Sequence, residues 1–143
     1  MIKQDFAQEI KAPVEKVFAF ATDFRNNAQW QDGVSESTQT PDRPTQLGTQ
    51  FKTVRTFLGQ HVEATGEVIE FVPNRKFAFM STSGPVQFSL AQTFESVPAG
   101  TRLTMHVEME GSGFFKLAEG ALAGNLKKTF ESQADKLRVL MET

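Results

Sequence analysis

The sequence has 143 residues but no cysteine, no tyrosine, only two histidines and one tryptophan, and no long apolar run. Each shortage closes a route. Without cysteine there is neither a disulfide framework nor a thiolate nucleophile, and with His61 and His106 as the sole imidazoles a zinc site of the common kind has too few ligands. No metal or cofactor is expected. No stretch approaches the roughly 18 apolar residues of a membrane-spanning helix, and Met1-Ile2-Lys3-Gln4-Asp5 lacks the basic start and apolar run of a secretory signal. The expected location is the cytoplasm, with no stable membrane insertion. Fifteen Lys and Arg against 17 Asp and Glu leave a formal charge of -2, so net charge offers nothing to a polyanion, and no nucleic-acid partner is expected.

What the chain does have is phenylalanine. Its 14 Phe, unaccompanied by Tyr, give an aromatic interior bulk without phenolic hydroxyls, which suits an apolar ligand as well as a plain core. The length fits one core, and with no repeat, low-complexity tract or linker a single domain over residues 1–143 is expected, as a monomer or weak homodimer.

Residues 3–10 read as a strand. Pro13 then opens a helix carrying Val14, Val17, Phe18 and Ala21 at helical spacing, and Asp23 breaks it. A second short helix over 24–31 carries Trp30, Asp32-Gly33 turns the chain into a strand over 34–40, and 41–48 is a polar loop. From Thr49 the pattern is strand after strand, and the hairpin registers can be tested because a one-residue slip reverses every face. With the tight turn at Gly59-Gln60, Phe57 faces Val62, Arg55 faces Ala64, Thr53 faces Gly66 and Phe51 faces Val68 on the inner side, with Lys52 against Glu67 outside. A turn at 97–100 pairs Phe94 with Leu103, Gln92 with Met105, Leu90 with Val107 and Phe88 with Met109, leaving Glu95 against Arg102 and Ala91 against His106 outside. Between these hairpins a turn at Pro73-Asn74 sends Phe77, Phe79 and Ser81 inward, and Gly84-Pro85 makes the next reversal.

After Gly111-Ser112-Gly113, apolar residues recur at helical intervals to the C-terminus: Phe114, Leu117, Leu122, Leu126, Phe130, Leu137 and Met141 carry the stripe. Gly120 and Gly124 cost roughly 1 kcal/mol each relative to Ala and are expected to mark a bend or a close approach. The expected fold is α+β: a seven-stranded curved antiparallel sheet wrapped around a long C-terminal helix, with two short helices between strands 1 and 2. A bent sheet cannot touch a straight helix along its whole length, so a space for a hydrophobic small molecule is expected between them.

The order of elements, with Ile10-Lys-Ala-Pro-Val-Glu-Lys-Val-Phe18, the later Asp23 and Trp30, and Gly100-Thr101-Arg102-Leu103 before the last strand, resembles the SRPBCC or START-like helix-grip superfamily, nearest its polyketide cyclase/dehydrase-like branch. The resemblance implies binding or transport of a lipid, polyketide or similar molecule in an internal cavity; the alternative it implies is a cyclase or dehydrase acting in the same place. The residues carrying it, Pro13, Val17, Asp23, Trp30, Gly100 and Thr101, each have a structural reason to be present, and no catalytic residue is assigned.

The candidate ligand contacts follow from the inner faces. Strand 3 offers Phe51, Thr53, Arg55 and Phe57. Phe77, Phe79 and Ser81 come from strand 5, then Phe88, Leu90 and Gln92, then Met105. Leu122 and Leu126 close the space from the helix, and Trp30 is either a lid or a buried anchor. Arg55 is the most informative of these, because an unpaired guanidinium on an apolar wall costs several kcal/mol. Its partner is Glu36 on the preceding strand, solvent at the cavity mouth, or a ligand carboxylate or carbonyl. Gln92 needs a hydrogen bond from Thr53, Ser81, a buried water or a polar ligand group. Met80, Met105 and Met109 are adaptable fillers, while His61, His106 and the carboxylates Glu63, Glu67, Glu95 and Glu108 fall outside.

Overall fold

The computed structural model describes every residue except Leu58, and every side chain except those of Phe57 and Leu58. The expected inward placement of Phe57 therefore lies outside the described residues.

Seven strands form one antiparallel sheet: β1 (Ile2–Ile10), β2 (Val34–Thr40), β3 (Gln50–Phe57), β4 (Gln60–Val72), β5 (Lys76–Ser83), β6 (Val86–Val97) and β7 (Gly100–Gly111), in the order β1-β7-β6-β5-β4-β3-β2. Only β1 leaves the meander, crossing to pair with β7. The crossing carries α1 (Val14–Ala21), a single 3₁₀ turn over Phe24–Asn26, and α2 (Asn27–Trp30), so both short helices arrive over one mouth of the curved sheet. Asp23 starts that turn, its Oδ1 accepting the Arg25 backbone N–H at 3.0 Å. Thr101 ties the start of β7 to the approach to α1 by donating to the Ala12 carbonyl at 2.8 Å, fully buried. The architecture is the α+β helix grip read from the sequence.

The β6–β7 register matches expectation residue for residue, from Phe88↔Met109 to Glu95↔Arg102. The β3–β4 register does not. The pairs are Phe57↔Gln60, Arg55↔Val62, Thr53↔Ala64 and Phe51↔Gly66, a shift of two residues. Gly59 makes the reversal at φ +75, so Gln60 is already paired rather than part of the turn. Because side chains alternate with period two, the shift leaves every residue with a described side chain on its expected face. Lys52 lies opposite Thr65 instead of Glu67 and reaches diagonally to Glu63 at 3.5 Å. Placing Phe51 opposite Gly66 has a steric basis, since a Cβ at Gly66 would stand 2.3 Å from Phe51 Cζ and 2.5 Å from the Met80 carbonyl oxygen.

The C-terminal helix is interrupted. Ala118, at φ -96 and ψ 20, separates α3 (Phe114–Leu117) from α4 (Glu119–Glu142). Gly120 follows the break by two residues, but neither it nor Gly124 marks a close approach, since a Cβ at either would meet nothing within 4 Å. The break rotates the first turn, so Phe114 and Leu117 are exposed and Phe115 is buried in their place. From Leu122 onward the expected stripe holds, with Leu122, Leu126, Leu137 and Met141 buried and one polar residue, Gln133, buried among them.

Candidate ligand cavity

A cavity of about 130 Å³ lies between the concave face of the sheet, α2 and the middle of α4. Its sheet side is aromatic. Phe51 of β3, Phe77 and Phe79 of β5 and Phe88 of β6 line it, and Phe24 from the 3₁₀ turn folds over them. Phe24 stacks on Phe51 with centroids 4.2 Å apart and planes 12° off parallel, while Phe79 meets both rings edge-on at 5.3 and 5.2 Å. These are the offset and edge-to-face contacts that ring quadrupoles favour. The glycine at 66 makes them geometrically available, because it clears the floor under Phe51. Opposite, α4 contributes Leu126 and Phe130, the latter backed by Phe6 of β1 at 4.5 Å.

Set into this wall are polar groups with incomplete bonding. Arg55 points into the cavity and its Nη2 donates to Gln31 Oε1 at 3.1 Å. Among the described residues no carboxylate lies within salt-bridge distance of it. Glu36 is not its partner, because the β2–β3 register shifts between Val34 and Glu36 and sets Glu36 opposite Val54. Glu36 thereby shares Val54's face, away from Arg55, and is exposed. With burial uncompensated by an opposite charge, the Arg55 pKa is held below its ordinary value. The guanidinium remains cationic all the same. Trp30, buried at the end of α2, lines the cavity, and among the described residues its indole Nε1 has no partner. Gln92 donates from Nε2 to the sulfur of Met105, at 3.2 Å, and among the described residues its Oε1 has no partner.

The structure brings together Trp30, Phe51, Thr53, Arg55, Phe77 and Phe79 with Phe88, Leu90, Gln92, Met105 and Leu126 around one space. Two candidates fall elsewhere. Pairing of β5 with β6 stops at Met80↔Ser89, after which β5 stays with β4 and leaves β6. Ser81 spans that split, its Oγ accepting the Phe88 N–H at 2.9 Å, and lines a second, more open pocket of about 440 Å³ that shares Phe88 and Met109 with the cavity. Met80 is exposed beside it. Leu122 is fully buried and does not line the cavity; it belongs with Ile2, Val107 and Phe115 to a second core cluster that borders the cavity through Val62, Val86, Val107 and Leu126. Met109, read as a filler, does line the cavity.

The polar lining residues not foreseen came from the helical segments. Asn27 and Gln31 sit on α2 and just past it, and Thr129 and Gln133 on α4. Thr129 and Gln133 stand three and seven positions after Leu126, on the same stripe, so two polar residues on an apolar face were the available signal. Outside the cavity, the His106 imidazole lies between Asp5 at 2.8 Å and Glu108 at 3.0 Å on the convex face, half exposed, and His61 is exposed on β4. Among the described residues no group of three or more His, Asp or Glu converges to hold a metal ion.

A sheet closed over a helix around such a space defines the START-like helix-grip class. The chain belongs to the family described as polyketide cyclase / dehydrase and lipid transport, whose match spans residues 1–142. Solved structures similar to it include a conserved protein from Geobacillus kaustophilus, at 17% identity and TM-score 0.80 with 98% of this chain and 95% of that chain covered. A START superfamily protein from Mycobacterium smegmatis is similar at 16% identity and TM-score 0.79, covering 98% and 97%. At this identity the likeness speaks to fold alone. No protein with a curated description matches the sequence. Family and fold together support a ligand-binding domain in general terms.

Proposed function

We propose that the chain binds and carries a hydrophobic small molecule, a lipid, polyketide or similar compound, in the cavity between sheet and α4, as a cytoplasmic monomer or weak homodimer. One observation carries the reading: an aromatic wall that also holds Trp30 and Gln92, whose Nε1 and Oε1 have no partner among the described residues. An unsatisfied buried polar atom costs about 1–3 kcal/mol, so a ligand group that pairs with either is favoured. The Phe rings supply area and the polar groups orientation, with Trp30 and Phe24 as a cover held by Arg55 through Gln31 and by Lys136 through Asp32.

Carriage is favoured over cyclase-type chemistry by the lining itself. Arg55 and Gln92 can polarise a carbonyl, but among the described residues the cavity presents no carboxylate or imidazole to move a proton. Native mass spectrometry and solvent extraction of freshly purified protein, with toluene titration monitored by Trp30 emission, test the reading. A retained apolar species or saturable toluene binding is expected. Protein that carries nothing and leaves Trp30 unperturbed by toluene overturns it.

A further inference from the structure

The cavity constrains its ligand further than "apolar". An uncompensated cation lines it, a buried indole N–H on the residue preceding Gln31 has no acceptor among the described residues, and Gln31 is itself the partner of Arg55. Arg55, Gln31 and Trp30 all line the same space. Guanidinium carries five donors in a planar fork suited to a carboxylate, and no protein carboxylate is present to take it among the described residues. The sheet side of the wall carries Phe24, Phe51, Phe77 and Phe79 in contacts of 4.2, 5.2 and 5.4 Å, a surface that receives a flat ring by stacking or by edge. Size closes the range. At about 130 Å³ the space is on the scale of the roughly 150 Å³ engineered apolar cavity that takes one benzene, and it is below the roughly 300 Å³ at which drug-sized sites begin.

From this geometry we infer that the cavity is a site for a single-ring aromatic carboxylate, its carboxylate on Arg55 and Trp30 Nε1 and its ring among Phe24, Phe51 and Phe79. The inference rests on the carrier reading and narrows it. Gln92 Oε1, three strands from Arg55 on β6, is left to accept from a donor on the far side of the ring or from water.

Trp30 is the only tryptophan and there is no tyrosine, so emission of the full-length protein reports from the cavity wall. Benzoate, benzamide, toluene and dodecanoate are titrated, with calorimetry as a second readout. Benzoate is expected to bind about tenfold or more tighter than benzamide, the isosteric neutral amide, and tighter than dodecanoate by a similar factor. Arg55→Leu is expected to bring benzoate to within about threefold of benzamide while toluene binds as before, because only the charge-assisted contact is lost. Trp30→Phe, read by calorimetry, keeps the test alive should Arg55→Leu fail to fold, and it should weaken benzoate about fivefold without weakening toluene. Equal binding of benzoate and benzamide, or benzoate binding unmoved by both variants, overturns the carboxylate assignment and leaves the carrier reading intact. Dodecanoate binding tighter than benzoate overturns the single-ring limit. Failure of all four compounds to bind removes the carrier reading itself.

Discussion

Arg55 carries more of the account than any other side chain, and its environment makes a prediction about stability that is separate from any ligand. A buried charge that has lost its partner is costly, whereas a buried charge that never had one is relieved by removal. Since Glu36 faces away, Arg55→Leu strands no carboxylate. The expected outcome in urea unfolding is unchanged stability or a gain of up to about 1 kcal/mol. A loss of about 3 kcal/mol, recovered in the double change with Glu36→Gln, would show that the two are paired after all. At the convex face His106 makes the opposite kind of statement. Hydrogen bonding to Asp5, and next to Glu108, raises its pKa above the ordinary 6.5. A group whose folded pKa is raised stabilises fully below its unfolded pKa and loses that contribution as pH climbs through the folded value. The unfolding temperature of the wild type relative to His106→Gln should therefore fall between about pH 6 and about pH 9. A difference that stays constant over that range, or grows, would contradict the ion-pair geometry.

Among the elements, hairpins were legible to different depths. The β6–β7 pairing could be read outright because Glu95 with Arg102 and Gln92 with Met105 agree in only one register. For β3–β4 the sequence specified faces but not register, since a two-residue shift preserves every inward position and the pairing turns on the conformation of Gly59. The shift brings Gly66 under Phe51, and with it an element-scale test. In Gly66→Ala the new methyl meets the Met80 carbonyl, which is backbone and cannot swing aside, as well as the Phe51 ring. We expect a loss of about 2–3 kcal/mol in chemical denaturation, the scale of an overpacked interior; a cost below about 0.5 kcal/mol would mean that Phe51 does not lie over residue 66. The break at Ala118 had no comparable signal, because alanine is the strongest helix former. The bulge that turns Glu36 outward was equally unreadable, since nothing in Ser35-Glu36 marks it.

At the scale of the whole molecule, eleven of the thirteen candidate contacts with described side chains line one cavity, and the two exceptions share a cause. Alternation and helical periodicity say which face a residue occupies, not how far along the face the space extends. Ser81 lies past the point where β5 leaves β6, and Leu122 belongs to the second core cluster that borders the cavity. What strand alternation could not supply was the polar complement from the helices, where Gln31, Thr129 and Gln133 complete the lining. The central claim, that an apolar molecule occupies this space, is tested most directly by intermolecular NOEs between toluene and the isotopically labelled protein. Occupancy of the cavity predicts NOEs to Phe79, Met105, Leu126 and Phe130, drawn from three different elements that only the interior brings together. NOEs confined to the exposed apolar residues Ile69, Leu117 and Val139, or none at saturating toluene, would contradict it.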